Sequence, residues 1–112
     1  ARQRLYVPTA SQRGYIVIVD TRTNKVKSKI QVGYFPNGPL LDAARALLYV
    51  AEFDEGDGST VAVIDTRTNR LGETITVGKG PSIPLLAEGT GRVYVPNWVS
   101  GTVSVLDVPA TR

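Results

Sequence analysis

At 112 residues, 42% apolar, 21% charged and a net charge of only +3, the chain has the make-up of one folded domain. It is neither a disordered tail nor a nucleic-acid binder, whose basic residues would cluster on one patch. It has no cysteine, histidine or methionine, which excludes disulfides, thiolate metal sites, thiol nucleophiles, Ser-His-Asp catalysis and histidine-ligated haem within the chain.

The missing methionine leaves no initiator, so the chain is expected to begin after processing or to belong to something longer. No apolar run approaches ~20 residues, and no membrane span is expected.

In chain order, Leu5–Pro8 reads as a first short strand, and IVIVD (16–20) as a second. The latter is apolar almost without alternation, as a strand buried on both faces must be. DTRTN (20–24) follows, then a more alternating strand over Lys25–Val32. Pro39-Leu40-Leu41 makes a short fourth element. DAARALL (42–48) is the best helical candidate, but its later counterpart is AEGTGRV, and two glycines there argue for a hairpin turn.

The pattern then recurs. Leu47–Ala51 is followed by VAVID (61–65), a second DTRTN (65–69) and the strand Arg70–Val77. Pro84-Leu85-Leu86, Arg92–Pro96 and VSVLD (103–107) complete the chain.

Asp20–Phe53 lies over Asp65–Trp98 without a gap, a repeat of about 45 residues. The spacing from Tyr to Asp varies between copies: Tyr6 to Asp20, Tyr49 to Asp65, Tyr94 to Asp107. Length variation is thus confined to one connection per repeat, as for a loop on one face.

Four short strands in about 45 residues, buried on both faces, make a β-propeller blade. The fold class is therefore all-β, with about two and a half four-stranded blades. With strands A to D running from axis to rim, the chain reads B-C-D, A-B-C-D, A-B-C. One propeller segment spans 1–112: blade 1 (strands B–D) at 4–33, blade 2 at 38–78 and blade 3 (strands A–C) at 83–108. DTRTN becomes the C–D hairpin turn. Its Asp accepts from backbone N–H groups, and its Asn tolerates left-handed geometry.

Leu-Tyr-Val-Pro-Thr (5–9), Val-Tyr-Val-Pro-Asn (93–97), Gly-Thr-Val-Ser-Val-Leu-Asp (101–107) and DTRTN resemble the YVTN family of propeller repeats. The resemblance covers essentially the whole chain. It implies a periplasmic, extracellular or cell-surface location, and it carries no common catalytic residue. The stretch Gly33–Pro39 departs from the family's VG-x-GP and is similar to the heavy subunit of quinoprotein amine dehydrogenases.

On a propeller the B–C loops and D–A connections share one face. That face is expected to carry the loops Thr9–Gly14, Phe53–Ser59 and Asn97–Gly101, with Tyr34, Phe35 and Lys79 from the connections. Tyr34, Phe35, Phe53, Asn97 and Trp98 are the candidate partner-binding residues, because exposed aromatics beside polar loops favour protein contacts. Asp54, Glu55 and Asp57 on a glycine-rich loop are a candidate calcium site, though without the spacing of an EF-hand loop. No cofactor is expected on this chain, and no catalytic acid–base pair stands out.

The expectation is a chain that is not itself an enzyme: a non-catalytic scaffold or interaction module whose partners are proteins, further blades or other subunits. The alternative is a propeller subunit or fragment of a periplasmic quinoprotein amine dehydrogenase-like redox enzyme with its cofactor on another chain. An open stack leaves apolar faces and strand edges uncovered, so a free monomer is not expected.

Overall fold

The computed structural model describes residues 3–9, 13–33 and 35–107. Ten strands form three antiparallel sheets. The first holds β1 (Arg4–Thr9), β2 (Tyr15–Asp20) and β3 (Lys25–Gln31). The second holds β4 (Pro36–Asp42), β5 (Leu47–Glu52), β6 (Thr60–Asp65) and β7 (Arg70–Thr76). The third holds β8 (Leu85–Ala87), β9 (Arg92–Asn97) and β10 (Thr102–Leu106). Neighbours in each sheet follow chain order. The strands are therefore B-C-D, A-B-C-D and A-B-C, the expected two and a half blades. The DAARALL segment is indeed a hairpin, with β4 ending at Asp42 and β5 opening at Leu47.

Stacking of the sheets explains the unbroken apolar runs. On β5 every residue is buried, yet the side chains alternate between two interfaces. Leu48 and Val50 join Ala62 and Ile64 against Ile16, Ile18, Ile30 and Val32 of blade 1. Leu47 and Tyr49 join Val61 and Val63 against Val93, Val95 and Leu106 of blade 3. Each such side chain removed from water contributes on the order of 1.5–3 kcal/mol before entropy is counted. The D strands β3 and β7 are almost wholly exposed. Each carries the same bulge against strand C, at Ile18/Val19 and at Val63/Ile64.

The C–D turns are built as their sequence demands. Asp20 Oδ1 accepts from the Arg22 N–H at 2.9 Å, and Asp65 Oδ1 from Arg67 at 2.8 Å. That backbone bond, with the Arg22 side chain beside it, holds the Asp20 carboxyl below its usual range. Asn24 and Asn69 sit at φ 61° and 59°, the left-handed region that Asn enters more readily than most residues. The only helical turn among the described residues is a 3-10 turn at Asp54–Gly56. No described helix is long and apolar enough to cross a membrane.

Candidate functional site

Backbone hydrogen bonds sew the B–C loops to the D–A connections. Gly80 N–H donates to Gly58 at 2.7 Å, Val77 to Ser59 at 2.8 Å and Trp98 to the Gly80 carbonyl at 2.8 Å. In the preceding pair, Val32 N–H donates to Gly14 at 3.0 Å. Loops and connections therefore share one face, and they form a continuous backbone surface between blades 2 and 3.

Side chains at the ends of the B strands fix this surface. Glu52, on β5, accepts from the Gly33 N–H and from the Thr60 hydroxyl, tying blade 2 to the connection that leaves blade 1. Gly33 has no room for a side chain, because a Cβ there would meet the Glu52 carboxylate. The repeat places Asn97 where blade 2 has Glu52. Its Nδ2 donates to Ser104 at 2.9 Å and to Thr102 at 3.2 Å, and its carboxamide lies against Gly78, the counterpart of Gly33. Asn97 Oδ1 has no partner among the described residues. Thr9 fills the same position in blade 1 and exchanges hydrogen bonds with the Tyr15 backbone.

The candidate residues divide accordingly. Phe53 and Trp98 meet, with ring centroids 6.3 Å apart and planes tilted by 44°. Trp98 is 76% exposed, and Val99 beside it is exposed as well. Gly56 and Gly80 pack against Val99, where a Cβ on either would press on its side chain. Phe35 stands one connection earlier, half-buried, at φ 48°. It occupies the repeat position of Gly80 (φ 69°), so an aromatic residue holds a backbone conformation suited to glycine. Tyr34 lies outside the described residues. Asn97 was expected on this surface but is only 2% exposed, because its carboxamide is drawn under the loop by Thr102 and Ser104.

Asp54, Glu55 and Asp57, the candidate calcium ligands, lie on the loop beside this surface. Among the described residues no three carboxylates gather to hold an ion. Asp54 and Glu55 occupy left-handed positions of the 3-10 turn, and Asp57 turns to the Lys79 ammonium at 3.7 Å.

Sequence reading missed the other half of the C–D turn. The Tyr6 hydroxyl donates to Asn69 Oδ1 at 3.3 Å, from strand B of blade 1 to the turn of blade 2. The repeated pairing of Tyr in strand B with Asn in the turn was the available signal.

No protein-family model matches the chain, and no curated protein matches its sequence. Solved structures do match it. Over 96% of its length the chain is similar to the dihydro-heme d1 dehydrogenase NirN in complex with DHE, at 19% identity and a TM-score of 0.78, a likeness of fold. Over 89% it is similar to the hydrazine synthase of Kuenenia stuttgartiensis, at 25% identity and a TM-score of 0.67. Both are β-propeller-type proteins, and the chain spans 22% of the first and 31% of the second. These matches overturn the expectation of a chain outside enzymes, since both structures are of enzymes.

Proposed function

We propose that this chain is a segment of a larger β-propeller in an exported redox enzyme, with its cofactor held on another chain of the assembly. The observation that carries the reading is the match of 96% of the chain, as three stacked sheets, to 22% of a dehydrogenase. The YVTN-like repeats and the stretch Gly33–Pro39, similar to quinoprotein amine dehydrogenases, support the same class and a periplasmic or extracellular location. The surface of Phe53, Trp98 and Val99 is the part offered to the other subunits. It is apolar and exposed, and its rigid backbone is held by the bonds between Gly58, Gly80 and Trp98.

Purification of the native assembly through a tag on this chain tests the reading. The expected product carries a visible chromophore and redox turnover, and its mass exceeds 12.0 kDa. Trp98→Ala is expected to release partner subunits while the melting temperature stays unchanged. A colourless preparation without redox turnover would overturn the proposal.

A further inference from the structure

The net charge of +3 is unevenly spread. Blade 1 carries Arg4, Arg13, Arg22, Lys25, Lys27 and Lys29 against one acid, Asp20. From residue 36 to residue 107 the balance reverses, with nine acids against five bases. The three lysines of blade 1 lie on its rim strand β3, where every residue but Ile30 is exposed. Arg22, in the turn that leads into this strand, is exposed as well. The Lys29 ammonium stands 5.3 Å from the centre of the Tyr15 ring, a contact that holds the charge in place.

Edge protection does not account for these lysines. The rim strand of blade 2, β7, has the same bulge and the same free edge. Yet it places Arg70, Gly72 and Thr74 where β3 has Lys25, Lys27 and Lys29, and Glu73 in the place of Ser28. The exposure is a property of the rim and not of an uncovered face. Lys25 pairs with Asp20, on the side of β2 that Ile16 and Ile18 turn to blade 2, and it is exposed with blade 2 in place. Thr74, the counterpart of Lys29, pairs with Ala62 on the side of β6 turned to blade 1, and it is exposed with blade 1 in place. A rim strand thus stays open to solvent beside a stacked blade.

We propose that the rim of blade 1 binds the acidic face of a partner protein, by charge rather than by strand pairing. The bulge and the lysines disfavour an added strand, and Val26 is the one large apolar side chain that β3 exposes. A membrane surface or a nucleic-acid duplex is an extended polyanion that also meets the acidic blades 2 and 3 alongside. A patch on a folded protein is small enough to meet blade 1 alone. Exposed charges of this kind steer association and bind reversibly, so the partner is one that comes and goes rather than a permanent subunit. The site is apart from the Phe53–Trp98 surface, and it does not rest on the redox reading.

The test is binding of a negatively supercharged green fluorescent protein to the native assembly, purified through a tag on this chain, with the neutral parent protein as control. At about 0.01 M salt the charged probe is expected to bind and the parent not to. Binding should weaken about tenfold by about 0.15 M salt, as the screening length falls from about 30 Å to about 8 Å. Lys27→Glu is expected to weaken binding about fivefold, and Arg70→Glu, the same charge change on β7, less than about twofold. Lys25→Gln with Lys29→Gln neutralises the strand without reversing it; a loss of about fivefold is expected there too, which keeps the test intact if Lys27→Glu fails to fold. No binding to the unaltered assembly at low salt would overturn the proposal. An equal loss from Arg70→Glu would do the same, since the field of the whole chain and not the rim would then be at work. Lysine-dependent binding to phosphatidylglycerol vesicles or to a DNA duplex, tighter than to the charged protein, would overturn the choice of occupant. None of these outcomes touches the redox-enzyme reading, which stands or falls on the chromophore and turnover.

Discussion

Asn69 serves two structures at once: its backbone closes a hairpin, and its side chain accepts from the neighbouring blade. The first role is local and was legible, because Asp and Asn at the ends of DTRTN act on backbone groups within the same five residues. The second was not legible, because Tyr6 lies 63 residues away and only blade stacking brings it near. Asn24→Ala is expected to lower stability by about 1 kcal/mol, for a non-glycine residue in the left-handed region. Asn69→Ala is expected to lose about 0.5–1.5 kcal/mol more, for the lost acceptor. Urea unfolding at high dilution measures both, and equal losses would contradict the added role.

Tyr49 offers a pH test at the same scale. Burial, with the Asp42 carboxylate adding to it, pushes its hydroxyl up to about 12, against 10.0 in the open chain. Between these values the unfolded chain has released its proton while the folded chain still holds it. Stability therefore falls as pH rises from 10 toward 12, and the group has no effect below 10. Thermal melts of Tyr49→Phe are expected to show a shallower loss over that window. A loss as steep as in the unaltered chain would show that other groups carry it.

Among the elements, the C strands were the most legible. IVIVD, VAVID and VSVLD are short, β-branched and apolar on successive residues, which only a strand between two packed faces requires. The β8 strand was the least so, since it is three residues long and follows Pro81 and Pro84, which lack an N–H for a ladder. The anchoring of blade 2 to the connection that precedes it was not legible either. It rests on Glu52, at the end of strand B, where the other copies have Thr9 and Asn97. Glu52 makes this anchor testable. It is buried, and Glu52→Ala strands the Gly33 N–H and the Thr60 hydroxyl at an expected loss of about 1–3 kcal/mol. Glu52→Gln keeps a carbonyl acceptor and is expected to lose less. Hydrogen exchange at Gly33 reads the anchor directly: it should quicken in the alanine variant and stay slow in the glutamine variant. Equal rates in both would contradict the anchoring role.

For the whole molecule, the number and order of strands followed from the repeat, whereas the likeness of the fold to two enzymes did not. The expectation of a chain outside enzymes rested on the absence of catalytic side chains in 112 residues. A stretch that spans 22% and 31% of the enzyme chains it matches leaves room for a redox centre outside it. The surface between Phe53 and Trp98 was legible only as a set of aromatics on one face, because the contact joins loops from two blades.

The central claim is that both open faces are covered in the working protein. A chain without cysteine lets this be measured with single introduced thiols. Leu5→Cys and Val103→Cys report the two faces, and Gly89→Cys, in an open turn with nothing within 4 Å, is the control. In the native assembly the control is expected to label as fast as in the unfolded chain, while both face positions are strongly protected. Labelling of Cys at both face positions as fast as at the control, in the intact assembly, would contradict the account.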